Sequence, residues 1–328
     1  MKNLCEQFKA DGYIVFPEII SRVDSGAILK NIENVIKQCA LDLKISESRY
    51  LKVISRWQNP SKVTDCVPKY IFESVQQRLE AIIQAPLVIN RWNIIIKNKF
   101  AYGSIPCHQD ISYSKANPYF CSTWIPLNTI QDGSGGIKVL PGSHKDSIQP
   151  AIDFWRPDFI DHMRRSKVWK ERAKSLYLDP GDVVVFHSQL WHGSDPNTLR
   201  LDRYSLVIRW ELKQSIKYDI PPFPESKFGM MTCGKATEQI LREEMSFFVK
   251  SSNIVSRSDV LQWWIDNLDN LLLSQLNINK TKARNALIDL DILDKAAKLH
   301  NGGDAEGKVY KTLWKLLLIH LNSSKQYA

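Results

Sequence analysis

The sequence predicts a mainly β protein: a sandwich or jelly-roll core, preceded by helices and followed by a separate helical region. Three observations predict it. Between about residues 87 and 212, short apolar and aromatic runs alternate with turns rich in Gly, Pro, Asn and Asp. Upstream of that stretch, apolar residues recur at helical spacing. From about residue 226 onward strand signals vanish and apolar stripes at three-and-four spacing take over. We therefore expect residues 1–222 to form the β core with its N-terminal helices, and residues 223–328 to form a helical C-terminal extension without an assigned role.

Phe8 to Pro17 reads as the end of a helix, a turn at Asp11-Gly12, and a short apolar strand closed by proline. Ser21 suits the cap of a second helix with apolar positions Ile28, Ile32, Val35 and Ile36. Pro68, tolerated in a first turn, opens a helical pattern that runs to Ala85. Beyond Pro86 the period changes. Strands are expected around Trp92–Ile96, Ser122–Leu127, Gly136–Leu140, Asp182–Phe186 and Tyr204–Trp210, separated by turns such as Asp132–Gly136, Pro141–His144 and Asp179–Asp182. The segment from about Ile152 to Lys174 breaks this spacing and reads as an inserted helical loop of the kind that often forms a lid or binding loop. In the C-terminal region, Leu241–Phe248, Val260–Leu272, Ala286–Leu293 and Leu313–Leu321 carry helical stripes. Those stripes need a partner, either the β core near the pocket mouth or a second copy in a homodimer.

The chain has 328 residues, 44% hydrophobic and 24% charged, enough to bury a sizeable core. No apolar stretch reaches membrane-spanning length, the N-terminus lacks a signal-peptide run, and Gln326-Tyr327-Ala328 is not a peroxisomal address. A cytoplasmic location is expected. The six cysteines show no paired spacing and read as reduced, buried small hydrophobes. The net charge of +9, concentrated partly at Arg164–Lys174, makes either a solvated helix face or a basic rim for an anionic substrate. No nucleic-acid-binding motif accompanies it, so nucleic acid is not an expected partner.

His108-Gln109-Asp110, with His192 far downstream, carries the chemistry. On a strand, residues i and i+2 share a face, so His108 and Asp110 can reach one ion together. Cys107 then points to the opposite face. Two imidazoles and a carboxylate are the set that holds non-haem Fe(II) with positions left open. Alone, this pattern arises by chance in many proteins.

Its surroundings make it specific. Asp11 to Pro17, the His-Gln-Asp triplet, Leu140 to Lys145, Pro180 to Phe186, and His192-Gly193-Ser194 followed by Asn197 and Arg203 occur in order. Together, over about residues 8 to 211, they resemble the phytanoyl-CoA dioxygenase (PhyH-like) family of Fe(II)/2-oxoglutarate oxygenases. That resemblance implies a cupin-like double-stranded β-helix. It implies iron held by His108, Asp110 and His192, and 2-oxoglutarate held by Arg203 with Ser194 and Trp124 nearby. It places Gln109 near the opening; Tyr113 faces either substrate or the pocket wall. The family's upstream lysine is matched by either Lys97 or Lys99. The reaction implied consumes O2 and 2-oxoglutarate, releases succinate and CO2, and hydroxylates an unactivated C–H bond of a small molecule, anionic or carrier-linked among the options. Ascorbate is an expected supporting reductant. Related halogenases replace the carboxylate by a small residue; this chain retains Asp110.

Rival residues have plainer readings. Arg200 and Arg209 compete with Arg203, which has the family's offset from the ligand histidine. His144 and His187 fall in turn motifs that do not ligate metal and read as structural. The alternative to an enzyme is a catalytically inactive relative that binds metal or ligand and acts through its C-terminal helices.

Overall fold

The computed structural model describes residues 2–54, 66–97, 99, 105–113, 120–149, 167–199, 201–214 and 217–220. Residues 1–40 with 46–224 form one compact unit, which holds the β core. The expected C-terminal helices, Arg200 and most of the 152–174 insertion lie outside the described residues; within the insertion, 167–172 are helical.

Helix α1 (Lys2–Asp11) ends at Gly12, whose φ of 76° turns the chain into strand β1 (Tyr13–Phe16). Helix α2 (Arg22–Asp42) begins where expected. The Ser21 hydroxyl accepts the Asp24 backbone N–H at 3.0 Å and donates to the Asp24 carboxylate at 2.7 Å. Its buried face is Ile28, Ile32, Ile36 and Cys39. Helix α3 (Glu47–Ile54) is short and has no counterpart among the expected elements. Helix α4 (Lys69–Ile83) starts after Pro68 and stops where Gln84 adopts the left-handed conformation.

The strands that follow are β2 (Leu87–Lys97), β3 (Ile105–His108), β4 (Cys121–Pro126), β5 (Ile137–Val139), β6 (Lys174–Ser175), β7 (Val183–His187), β8 (His192–Ser194) and β9 (Arg203–Leu212). They form two antiparallel sheets, ordered β1-β7-β4-β9-β2 and β3-β8-β5-β6. On the larger sheet, Phe72 of α4 packs over Trp92 of β2 with ring centroids 4.8 Å apart, so the outer face carries a helix. The inner face meets the smaller sheet. Trp124, Val184, Phe186 and Val207 from one side and Ile137 and Val139 from the other build a single buried cluster. β7 is buried almost throughout, which explains why it reads as an unbroken apolar run instead of an alternation. The described cysteines are free thiols, all buried except the half-buried Cys5. Among the described residues, no helix is long and apolar enough to cross a membrane.

Candidate metal centre

His108 ends β3 and stands across the ladder from His192, the first residue of β8. The i, i+2 spacing led us to expect Asp110 on the same strand face as His108, and the structure corrects this. The strand stops at His108, and Asp110 opens a 3-10 turn over Asp110–Tyr113. The Ile111 backbone N–H donates to the Ser188 carbonyl at 3.0 Å, which fixes that turn beside β8. The turn, not strand alternation, swings the carboxylate inward. Alternation does hold for Cys107, which packs with Leu140 and Trp191 in a separate cluster.

The convergence is tight. Asp110 Oδ1 lies 3.5 Å from His108 Nε2 and 3.6 Å from His192 Nε2, and one ligand atom from each residue falls within 4.8 Å of the others. Metal–donor bonds are about 2.0–2.2 Å, so donors sharing one ion stand about 3–4 Å apart. His192 is held in the tautomer a metal ligand needs. His192 Nδ1–H donates to the Leu190 carbonyl at 2.9 Å, which leaves Nε2 with its lone pair facing Asp110. Burial holds the His192 imidazolium down to about 4, so the ring is neutral at ordinary pH. Burial alone would raise the Asp110 carboxyl. His192, a hydrogen bond from His108 and the Arg209 charge outweigh it and hold that group well below the usual carboxylate range. Ser122 on β4 adds a hydroxyl at 3.3 Å from Asp110 Oδ2. The residues fit a divalent ion with two imidazole ligands and one carboxylate, leaving positions open.

Two buried cations lie near this cluster, linked to it through Ser194, two residues past His192. Arg203 and Lys97, directly opposed on β9 and β2, are 2% and 1% exposed. The Arg203 guanidinium lies 5.5 Å from the Trp124 ring centroid and donates to the Gly135 carbonyl at 2.7 Å. Its Nε, also buried, has no hydrogen-bond partner among the described residues. Burial lowers the arginine only to about 10, so it stays charged. Lys97 Nζ donates to Ser194 Oγ at 2.9 Å and to the Asp195 carbonyl. Burial and the neighbouring Arg203 bring it down to about 7, against the pull of Asp195. Lys99 is exposed and offers its backbone N–H to Asp202, at 2.8 Å. Of the two lysines, Lys97 is the buried one, opposite Arg203. Two sealed cations and an orphaned N–H are groups that an anion could satisfy.

Gln109 is buried, and its amide is spent on the backbone: Nε2 donates to the Gln189 carbonyl at 2.9 Å, and Oε1 accepts the Gln149 N–H at 2.7 Å. It anchors the 147–149 segment. The Tyr113 side chain lies outside the described residues. His144 and His187 join no metal cluster among the described residues. His144 meets the Lys9 carbonyl at 3.2 Å, and His187 accepts the Gln189 N–H at 3.1 Å.

The motif residues prove to be braces. Ser143 Oγ donates to the Leu140 carbonyl at 2.6 Å and accepts the Trp191 N–H at 3.0 Å, locking the residue before His192. Asn197 bridges the carbonyls of Lys97 and Leu201 at 2.9 and 2.6 Å, joining the end of β2 to the approach to β9. Sequence reasoning passes over Ser122, Gly135 and the Leu190 carbonyl. Of these, only Gly135 leaves a trace, as part of a glycine-rich turn with φ of 68°.

Two antiparallel sheets, a two-histidine, one-carboxylate cluster and two buried cations nearby define the class of protein. The phytanoyl-CoA dioxygenase (PhyH) family matches residues 8–200, and the chain belongs to that family. It is similar to 1-deoxypentalenic acid 11-beta-hydroxylase of Streptomyces exfoliatus, 28% identical over 159 residues, covering 45% of this chain and 52% of the relative. It is similar also to the peroxisomal phytanoyl-CoA dioxygenase of Bos taurus, 24% identical over 212 residues, 58% of this chain and 62% of the relative. The match thus spans less than two thirds of either relative. Among solved structures, it resembles EvdO2 from Micromonospora carbonacea var. aurantiaca complexed with 2-oxoglutarate. That likeness, at 17% identity and a TM-score of 0.50, covers 67% of this chain and 94% of that one, and is one of fold.

Proposed function

We propose that the protein is an Fe(II)- and 2-oxoglutarate-dependent dioxygenase that hydroxylates an unactivated C–H bond of a small organic substrate, releasing succinate and CO2. The observation that carries this reading is the juxtaposition of the His108–Asp110–His192 donor cluster with two buried cations, Lys97 and Arg203, the first of them held by Ser194 two residues along β8 from His192. The two sheets are read accordingly as a double-stranded β-helix, with residues 1–222 as the oxygenase domain and 223–328 as an extension.

His108, Asp110 and His192 would hold the iron, which with 2-oxoglutarate and O2 supplies the oxidation of the C–H bond, coupled to decarboxylation of the co-substrate. Arg203 binds the distal carboxylate of the co-substrate through the planar guanidinium fork, using the Nε that otherwise stays unsatisfied. Lys97 and Ser194 add donors on the same side. Trp124 stacks under the guanidinium and keeps water out, which strengthens the ion pair. The Leu190 carbonyl holds His192 in the tautomer that presents Nε2. The retained Asp110 favours hydroxylation over halogenation, because it fills the position a halide would need.

An anaerobic titration tests the reading. Adding Fe(II) and then 2-oxoglutarate should produce the visible band of the chelate, and admitting air should yield succinate. The His108→Ala protein should do neither. Absence of both the band and succinate from the wild-type protein would overturn the proposal.

A further inference from the structure

Three consecutive carbonyls hold the donor cluster together. Ser188 accepts the Ile111 backbone N–H at 3.0 Å, Gln189 accepts the Gln109 Nε2–H at 2.9 Å, and Leu190 accepts the His192 Nδ1–H at 2.9 Å. The first bond holds the turn that carries Asp110, the second the residue between His108 and Asp110, and the third the ring of His192. The carbonyls are themselves fixed in place. The Ser188 N–H donates to the Phe120 carbonyl and the Leu190 N–H to the His187 carbonyl, both at 2.9 Å. Such support is needed, because the His192 Nε2 lone pair and the Asp110 carboxylate, 3.6 Å apart, repel one another until a cation joins them.

Gln109 also reaches the other way. Its Oε1 accepts the Gln149 backbone N–H at 2.7 Å, and its Nε2 stands 3.5 Å from the Ser147 carbonyl. Ser112, on the other side of Asp110 in the chain, donates its hydroxyl to the Gln149 carbonyl at 2.6 Å. Both backbone polar groups of Gln149 are thus held by side chains that flank a donor residue. Gln109 and Ser112 are 2% and 4% exposed, so water is a poor substitute for either partner. The amide also has a set orientation: flipping it would turn oxygen toward the Gln189 carbonyl and N–H toward the Gln149 N–H.

We propose that Gln109 is a positioning residue that couples the metal centre to residues 147–149, so that capture of the ion and docking of that segment strengthen each other. The proposal rests on the metal-centre reading and is independent of the co-substrate. An ion joining His108 and Asp110 fixes the backbone on both sides of Gln109. Its side chain then has less freedom left to lose in holding Gln149, and the bond between them opens less often. By reciprocity, the docked segment tightens the metal by the same factor. A glutamine that merely filled space would alter melting without linking the two events.

The experiment uses the full-length protein under anaerobic conditions with Fe(II) alone as the probe. Hydrogen exchange of the Gln149 amide reports the opening of its bond to Gln109. In the wild type, Fe(II) should slow that exchange at least about fivefold, the low end for coupled sites. Gln149→Pro, which removes the N–H, should weaken Fe(II) binding by a similar factor, although residue 149 lies far along the chain from every donor. Gln149→Ala keeps the N–H and should bind Fe(II) like the wild type. Gln109→Met, close in length but without hydrogen bonds, loses both ties and should bind Fe(II) about 10–100-fold more weakly. Exchange at Gln149 that is unmoved by Fe(II) in the wild type overturns the proposal without recourse to any variant. So does a Gln149→Pro protein with wild-type Fe(II) affinity, or a Gln149→Ala protein that loses as much as the proline variant. A wild type that shows the Fe(II)-dependent slowing but no visible band on adding 2-oxoglutarate upholds the proposal and sinks the oxygenase reading instead.

Discussion

Lys97 and Arg203 face each other directly across the β2–β9 ladder, both of them buried. Like charges so placed repel, and burial deprives both of water. The arrangement costs stability in the unliganded protein and lowers the lysine to about 7. A dicarboxylate bound by both, as we propose for 2-oxoglutarate, would reverse both effects.

Co-substrate binding should therefore take up a proton near neutral pH. Lys97 is charged below about 7 and neutral above it, so affinity for 2-oxoglutarate should fall as pH rises past 7, at a rate approaching tenfold per pH unit. Calorimetry in two buffers of different ionisation enthalpy would measure the proton uptake. Lys97→Met should abolish it. Unliganded, the sign is opposite. The unfolded lysine keeps its ordinary 10.5 and binds more protons than the folded one between about 7 and 10.5, so its contribution to stability rises with pH over that window. A wild-type protein whose 2-oxoglutarate affinity is flat from pH 6 to 9 would contradict this.

Arg203→Gln should weaken 2-oxoglutarate binding by about 2–4 kcal/mol, on the order of 30- to 1000-fold, because a buried carboxylate loses its partner. Metal affinity should stay within a few-fold of wild type, since the guanidinium touches Gly135 and Trp124 and not the donor cluster. Parallel titrations of Fe(II) and 2-oxoglutarate separate the two effects.

Removing the carboxylate should do the reverse. Asp110→Ala should reduce Fe(II) affinity by more than the roughly 10–100-fold expected for loss of an outer-shell partner. Ser122→Ala, which removes only the hydroxyl at 3.3 Å from Oδ2, should stay at or below the low end of that range. Equal losses in the two variants would mean that Asp110 is not a ligand.

A stability prediction reaches the site from a distance. Gly12 adopts φ of 76°, and an added Cβ would collide with the His144 ring and stand 2.9 Å from Leu190 Cδ1. Gly12→Ala should destabilise the protein by about 1–3 kcal/mol, lowering the melting temperature by roughly 2–4 °C per kcal/mol. Leu190 also supplies the carbonyl that orients His192, so Fe(II) affinity should weaken with it. A Gly12→Ala protein with unaltered melting and metal binding would refute the link.

Where a signal is local and repeats, the sequence discloses the structure. The Ser21 cap, the Gly12 turn and the apolar run of β7 are all legible, because capping, positive φ and burial are written in adjacent residues. Short strands are not. β8 has three residues and β6 only two, too few to show a period. Lys97 and Lys99 would share a face if β2 continued, and only its termination at Lys97 separates them. Asp110 reaches the cluster through a turn whose anchor, the Ser188 carbonyl, lies far along the chain. The Arg209–Asn93 pair likewise joins two strands that no local pattern connects.

The strand order β1-β7-β4-β9-β2 has a consequence for synthesis. No strand in that sheet pairs with its neighbour in sequence; β1 waits for β7, and β2 waits for β9. As the chain leaves the ribosome, the apolar residues of β1 and β2 remain without partners until segments much further along have emerged, and such long-range pairing is slow. The site is later still, because Arg203 opens the last strand of that sheet. The donor cluster itself cannot assemble before β8 has emerged, because His192 opens that strand and faces His108 of β3.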